Sequence, residues 1–232
     1  MARQLLCNPS TKLTDCEVRT MADLETLRQA IIDGDAKTAG AAAREAIATG
    51  IDALTLIQQY MVPAMDEVGR RYECEEFFVP ELLLSARAMK AALDPIRPLL
   101  VASGAKPAGK VVIGTVKGDL HDIGKNLVAS LLEGGGFEVI DLGADVSPQK
   151  FIEAVQSSGA NIVALSALLT VTMPSIKMTI EALKTAGVRD KVKVMVGGAP
   201  VTQQFADQVG ADAYSENATA AVSAARRLVA AG

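Results

Sequence analysis

The stretch 111–126 reads Val-Val-Ile-Gly-Thr-Val-Lys-Gly-Asp-Leu-His-Asp-Ile-Gly-Lys-Asn, and it joins an apolar run to a polar loop. The run 111–116 is rich in β-branched residues and predicts a buried strand, while Asp119 to Gly124 predict a loop that leads into a helix. His121 is the single histidine of the 232-residue chain. Any imidazole chemistry of this protein must therefore take place in this loop.

The same alternation of strand and helix continues to the end of the chain. Short β-branched runs separated by helical patterns are typical of a parallel α/β domain. We therefore predict a flavodoxin-like or Rossmann-like, doubly wound parallel sheet of five strands over 110–232. The predicted strands cover 111–116, 137–141, 161–165, 191–196 and 212–214, and the predicted helices cover 123–133, 148–158, 174–186, 201–208 and 217–231.

The first half of the chain shows helical spacing instead. Apolar residues recur every three or four positions over 22–93, which predicts an N-terminal helical bundle that forms a cap. Gly34 and Gly50 stand where two helices should end, and Pro63 should kink or divide the third.

Two segments flank this bundle. Residues 1–20 are polar and aperiodic, which predicts a disordered tail. Pro95, Pro98 and Pro107 mark a linker over 94–109, because prolines interrupt periodic structure.

Composition excludes several classes of partner. Lysine and arginine total 23 against 27 acidic residues, so the chain has no basic field for nucleic acid. The three cysteines, Cys7, Cys16 and Cys74, never show C-x-x-C spacing, which fits a reducing compartment. No apolar run reaches the length of a membrane span. We expect a cytoplasmic protein that binds neither nucleic acid nor a membrane.

Polar and glycine-rich segments follow three of the predicted strands. They are 118–124 after the first strand, 166–172 after the third and 197–200 after the fourth. Ligands of open α/β sheets bind beyond the carboxyl ends of the strands, near the point where strand order reverses. If the order is 2-1-3-4-5, these three segments converge on one crevice.

Each of these segments also has a simpler interpretation. A lone histidine can be an ordinary hydrogen-bonded residue, and Asp119 can cap the following helix. Gly197 and Gly198 can form a tight turn, and Ser166 and Thr172 can satisfy nearby backbone groups. The spacing of Asp119 and His121 favours a functional role, because the carboxylate can accept from one ring nitrogen and leave the other as a metal ligand.

Two common kinds of site do not match the loop. It lacks the spacing G-x-G-x-x-G and the Lys-Ser/Thr ending of a phosphate loop. A zinc site needs about three protein ligands, and no second histidine or cysteine lies near His121. The possibility that is left is a metal already held by a macrocycle that supplies most of its ligands. Such a metal needs only one axial imidazole from the protein.

The segment 114–126 resembles the D-x-H-x-x-G signature of cobalamin-dependent methionine synthase and of the corrinoid proteins of methyltransferase systems. The segments 141–143, 166–168 and 197–198 match this family at its spacing. In the helical half, 65–69 and 78–90 match as well, so the resemblance covers about 22–231.

The resemblance implies a set of site residues. His121 would replace dimethylbenzimidazole as the lower ligand of cobalt, and Asp119 would bond its other ring nitrogen. Thr172 stands where methionine synthase has a serine that completes this relay. These three are the expected catalytic residues, and His121 is the expected metal ligand. The other expected cofactor-binding residues are Asp122, Gly124, Thr115, Gly118, Ser166, Leu168, Thr170, Gly197 and Gly198, with Phe78 over the upper face of the corrin.

The resemblance also implies a function. Cobalamin, as methylcobalamin and cob(I)alamin, would carry a methyl group on cobalt from a substrate-specific methyltransferase to a second methyltransferase acting on tetrahydrofolate or a thiol. A reductive activation protein is the third expected partner. The chain would be one component of such a system rather than a complete enzyme. The alternatives are a cobalamin-dependent sensor or regulator, a small mutase subunit, and a flavodoxin-like interaction module without cobalt.

Overall fold

The structure, a computed structural model, describes residues 15–103 and 107–230, with side chains described over 24–100 and 107–230. The first half is helical, and the second alternates strands and helices. The helices of the first half are α1 (Asp15–Ile32), α2 (Ala36–Ala48), α3 (Ala53–Leu56), α4 (Val62–Glu73), α5 (Val79–Leu93) and α6 (Arg97–Ser103). The second half contains β1 (Lys110–Thr115), α7 (Ile123–Gly134), β2 (Glu138–Asp141), α8 (Pro148–Ser158), β3 (Ile162–Ser166), α9 (Met173–Thr185), β4 (Lys193–Gly197), α10 (Gln203–Val209), β5 (Ala213–Ser215) and α11 (Ala218–Ala230).

The predicted fold class is confirmed. All strand pairs of the sheet are parallel, and the strand order is β2-β1-β3-β4-β5. The order reverses between β1 and β3, which places the loops after β1, β3 and β4 side by side.

Local chemistry explains the helix boundaries in the bundle. The carboxylate of Asp35 caps α2 by accepting from the backbone N–H of Thr38 at 3.0 Å, and Asp52 caps α3 through the N–H of Thr55 at 2.8 Å. A π turn, Ile57–Met61, separates α3 from α4 directly before Val62 and Pro63. Pro63 has no N–H to donate, so the third predicted helix is divided at this position.

Two predictions at the edges of the bundle need correction. Residues 15–20, predicted as part of a disordered tail, belong to α1, and the remainder of that tail, 1–14, lies outside the described residues. Residues 15–20 contain no glycine or proline, so a helix formed downstream extends through them at little cost. The linker 94–109 contains α6, because Pro98 stands in the first turn, where a missing N–H leaves no helical bond unmade.

The bundle packs on the helices that cover one face of the sheet. Leu131 of α7 and Ala218 of α11 belong to the hydrophobic core of the bundle. Nη1 of Arg226 also lies 2.7 Å from Oδ1 of Asp66 across this contact. The other face of the sheet has a separate core around Phe151 and α9. None of the described helices is both long and apolar enough to cross a membrane.

Candidate functional site

A cleft of about 510 Å³ opens at the carboxyl ends of β1, β3, β4 and β5. Its volume is within the range of small-molecule and cofactor pockets. The loops after β1, β3 and β4 meet there, as the strand order requires. The lining residues predicted from the sequence are His121, Asp122, Gly124, Ser166, Leu168, Gly197 and Gly198.

His121 lies in the wall of this cleft with half of its side chain exposed. Its Nδ1 is 2.8 Å from Oδ1 of Asp119, and its backbone N–H donates to the same oxygen at 3.0 Å. The hydroxyl of Thr115, buried beneath the loop, donates to the carbonyl of His121 at 3.0 Å. We assign the ring proton to Nδ1, because its partner is a carboxylate. Nε2 is then the ring nitrogen that can bind a ligand.

Asp119 is completely buried behind the imidazole. Its Oδ2 accepts from the backbone N–H of Leu168 and from the hydroxyl of Thr172, both at 2.7 Å. Burial is the largest single influence on the pKa of Asp119, and by itself it would raise that pKa. The hydrogen bonds from Thr172, Leu168 and His121 together outweigh burial, so the pKa of Asp119 lies below its usual value. The carboxyl is therefore ionised at neutral pH.

The Thr172 hydroxyl also lies 2.8 Å from the carbonyl oxygen of Leu169. Its single proton can serve one acceptor fully, and the ionised carboxylate is the stronger one. The structure thus brings together His121, Asp119 and Thr172, the three residues predicted to form the relay.

Glycine is required by geometry at two positions of the site. Gly198 has φ +126°, and a Cβ built there would lie 1.9 Å from the carbonyl oxygen of Ala167. Gly118 has φ +86°, and its N–H donates to Oδ1 of Asp145 at 2.7 Å. Gly118 directly precedes Asp119, and Gly198 lies against Ala167, the residue before Leu168, whose backbone N–H donates to Asp119.

Six predicted residues are not among those that line the cleft in this structure. They are Asp119, Thr115, Gly118 and Thr172, which lie around the histidine loop, and also Thr170 and Phe78. Thr170 lies exposed in the loop after β3. Phe78 is 62% exposed and precedes α5, where its backbone N–H donates to Oε2 of Glu81 at 2.9 Å. From the bundle, Tyr72 lines the cleft. The roles predicted for Thr170 and Phe78 stay predictions.

Sequence reasoning missed a buried ion pair beside the histidine loop. Lys125 lines the cleft but is only 2% exposed, and its Nζ donates to Oδ1 of Asp141 at 2.6 Å. The same Nζ donates to Oδ1 of Asn126 at 2.6 Å, and the Asn126 amide donates to Asp122 at 3.1 Å. These contacts connect the first turn of α7 to β2. The family match at 114–126 and 141–143 contains these residues, but a lysine is ordinarily exposed, so its burial had no sequence signal.

The residues present fit a cobalamin whose lower ligand is a protein histidine. One imidazole nitrogen is available in the cleft, and the other is fixed by a buried carboxylate. Behind the polar mouth, Ile113, Ala164 and Met195 form an apolar wall that suits an aromatic nucleotide base.

Comparison with known protein families gives two matches. Residues 109–223 match a family model described as a B12 binding domain. Residues 23–96 match a second model with the same description. The two matches coincide with the α/β domain and with the helical bundle.

Individual proteins are similar along nearly the whole chain. Trimethylamine corrinoid protein 1 of Methanosarcina acetivorans is 46% identical over 204 residues, which are 87% of this chain and 94% of that protein. A cobalamin-binding protein from Desulfitobacterium hafniense DCB-2 has a TM-score of 0.75 at 35% identity, covering 88% of this chain and 98% of that one.

A solved complex extends the comparison. The methanol:cobalamin methyltransferase complex MtaBC from Methanosarcina barkeri matches with a TM-score of 0.80 at 31% identity, covering 96% of this chain and 87% of the matched chain. These similarities support a methyl carrier that works with methyltransferases and uses cobalamin as its cofactor, and they do not support a sensor. The chain therefore belongs to the family of cobalamin-binding corrinoid proteins of methyltransferase systems.

Proposed function

We propose that His121 is the lower cobalt ligand of this methyl carrier, through Nε2. The observation that carries the proposal is the 2.8 Å contact between Nδ1 of His121 and the buried Asp119, which leaves Nε2 available in the cleft. Bound cobalamin supplies a cobalt that can accept and release a methyl group. The protein supplies the ligand, its orientation and its basicity.

Asp119 and Thr172 adjust that ligand. The carboxylate holds the proton on Nδ1, which raises the electron density of the imidazole and strengthens its bond to a metal. Thr172 donates to the same carboxylate at 2.7 Å and so limits how much negative charge it offers to the histidine. The relay would thereby set the strength of the bond that the imidazole makes to cobalt.

We further propose that a methylated amine is the substrate of the first methyltransferase. The support is the 46% identity to a protein named trimethylamine corrinoid protein, against 31% for the chain of the methanol complex. The second methyltransferase acts on tetrahydrofolate or a thiol, and a reductive activation protein restores the active cobalt state. The proposed location of all partners is the cytoplasm.

The chain is proposed to be a component and not a complete enzyme. The described residues form a helical bundle and a five-stranded α/β domain, and a barrel for donor activation is not among these described elements. The methyl donor would then be activated on the partner, and the carrier would present its cobalt to it.

The proposal is tested with the full chain incubated with hydroxocobalamin and passed over a gel filtration column. We expect coloured protein, and we expect its corrinoid absorbance to change after reduction when a trimethylamine methyltransferase and trimethylamine are added. A methanol methyltransferase with methanol should change it far more slowly. His121→Ala should alter the visible spectrum of the bound corrinoid. Colourless wild-type protein contradicts the carrier function, and an unaltered spectrum of the variant contradicts ligation by His121.

A further inference from the structure

Asp145 lies in the loop that follows β2, in a backbone conformation that glycine adopts most easily. Its φ is +53°, and among the described residues Glu75 is the only other one besides glycine with a positive φ. An aspartate tolerates this region better than most residues, but glycine occupies it without strain. Such strain persists only where the surrounding structure enforces it, so the carboxylate of Asp145 calls for a role.

The main chain around Asp145 is anchored to the end of β1. The carbonyl of Gly143 accepts from the N–H of Thr115 at 2.9 Å, and the N–H of Val146 donates to the carbonyl of Thr115 at 2.9 Å. Val116 and Val146 continue this parallel pairing as an isolated bridge. These contacts lie on both sides of Asp145, so its side chain reaches the histidine loop from a fixed position.

Asp145 contacts the histidine loop on either side of the peptide group that joins Gly118 to Asp119. Its Oδ1 accepts from the N–H of Gly118 at 2.7 Å, and its own N–H donates to the carbonyl of Asp119 at 2.9 Å. The N–H of Asp119 donates to the carbonyl of Val116 at 3.1 Å, which closes the turn. A neighbouring loop therefore fixes the backbone of Asp119, and with it the point from which the carboxylate reaches His121.

The importance of these contacts lies in what they position. Asp145 and Gly118 are exposed, so the hydrogen bond between them adds little to the free energy of unfolding. Asp119 is completely buried, and its two oxygens serve His121 on one side and Leu168 on the other. A small rotation of its backbone would misalign both contacts, because hydrogen bonds weaken steeply as their angle departs from linear.

We propose that Asp145 is a positioning residue for the cobalt ligand, which acts through Asp119 to hold the imidazole of His121 in the direction that binds cobalt. This inference rests on the proposed ligation by His121. Without the carboxylate of Asp145, the turn at Gly118 and Asp119 is held less firmly, and the ring spends more time turned away from the cleft. The equilibrium between ligated and unligated cobalt then shifts toward the unligated form.

Three full-length variants separate the carboxylate from the backbone strain. Asp145→Gly removes the carboxylate and also relieves the positive φ, so its unfolding in urea should be close to that of the wild type. Asp145→Asn keeps an acceptor oxygen and a side chain that tolerates this conformation. Glu75→Gly is the matched control, because it relieves a φ of +60° in the bundle and leaves the histidine loop unchanged.

Amide hydrogen exchange of the cofactor-free proteins, followed by NMR, is the first measurement. The N–H groups of His121 and Leu168 both donate to Asp119, so their exchange reports how firmly it is held. In Asp145→Gly they should exchange about three- to tenfold faster, as expected for the loss of one hydrogen bond. The amide of Val163 in β3 should exchange as in the wild type. Asp145→Asn and Glu75→Gly should keep the rates of the wild type.

The second measurement is the ratio of histidine-ligated to unligated cobalt in the proteins loaded with methylcobalamin, read from the visible spectrum. This ratio should fall about three- to tenfold in Asp145→Gly and should be restored in Asp145→Asn. Exchange at His121 and Leu168 that stays unchanged, or that rises equally at Val163, overturns the inference, and so does an unchanged ratio in Asp145→Gly. Wild-type protein whose spectrum shows no histidine ligation refutes the proposed function itself, and the inference with it.

Discussion

Asp119 and His121 are joined by two hydrogen bonds to a single oxygen. Oδ1 of Asp119 accepts from the backbone N–H of His121 at 3.0 Å and lies 2.8 Å from Nδ1 of the ring. The carboxylate therefore fixes both the main chain and the side chain of the residue that faces the cleft. The ring direction is set before any ligand binds, which lowers the entropic cost of binding.

Asp119 should make the stability of the cofactor-free protein depend on acidity. Its pKa is lower in the folded chain than in the unfolded chain. The ionised carboxylate therefore contributes fully to the free energy of unfolding above the usual pKa of an aspartate, about 3.9. This contribution is lost as the pH falls toward the lowered pKa. In urea unfolding at a series of pH values, the wild type should lose more stability than Asp119→Asn below about pH 4. Parallel curves for the two proteins would contradict the low pKa.

Gly198 should not tolerate even a methyl group. Alanine there combines a φ of +126° with an approach of 1.9 Å to the carbonyl oxygen of Ala167, so the loop that leads to Leu168 must move. We expect Gly198→Ala to lose about 3 kcal/mol of stability and to weaken cobalamin binding. Gly143→Ala is the control, since Gly143 also has a positive φ, +84°, but open space for a Cβ. It should lose about 1 kcal/mol. Equal losses would refute the steric explanation.

In the ion pair of Lys125 and Asp141, removal of the aspartate should destabilise the protein more than removal of the lysine. The lysine side chain is 1% exposed and the aspartate side chain is 38% exposed. Asp141→Ala leaves a buried cation without its partner and should cost about 3 kcal/mol. Lys125→Met leaves a carboxylate that water can reach, so the loss should be smaller. Urea unfolding of both variants and of the double variant checks this order. A larger loss for Lys125→Met would contradict it.

Apolar packing should hold the bundle on the α/β domain more strongly than the polar contact does. Leu131 is 4% exposed in the core of the bundle, and Leu131→Ala should cost about 3 kcal/mol. The pair of Arg226 and Asp66 is 35% and 51% exposed, and Asp66→Asn should cost less than about 1 kcal/mol. Limited proteolysis within 94–109 measures opening of this contact. Faster cleavage of Asp66→Asn than of Leu131→Ala would show that the polar contact holds the bundle more strongly, and would contradict this prediction.

Sequence predicted those parts of the fold and site that depend on local pattern. The β-branched runs located all five strands to within about two residues, and the spacing of Asp119 and His121 predicted their contact. Thr172 is 53 positions from Asp119, so only family resemblance connected them. Ser215, which also lines the cleft, was missed because β5 has three residues and a serine there has no local signal. The burial of Lys125 depends on Asp141, a partner on another strand, which a local pattern does not contain.

Ligation of cobalt by His121 is tested most directly by electron paramagnetic resonance. Because the chain contains one histidine, labelling every histidine with ¹⁵N labels a single imidazole. The full chain is loaded with unlabelled cobalamin and reduced to the paramagnetic cobalt(II) state. We predict that the nitrogen splitting of the cobalt lines changes from a triplet to a doublet in the labelled protein. A triplet that persists in the labelled protein would show benzimidazole beneath the metal and would contradict the assignment of His121.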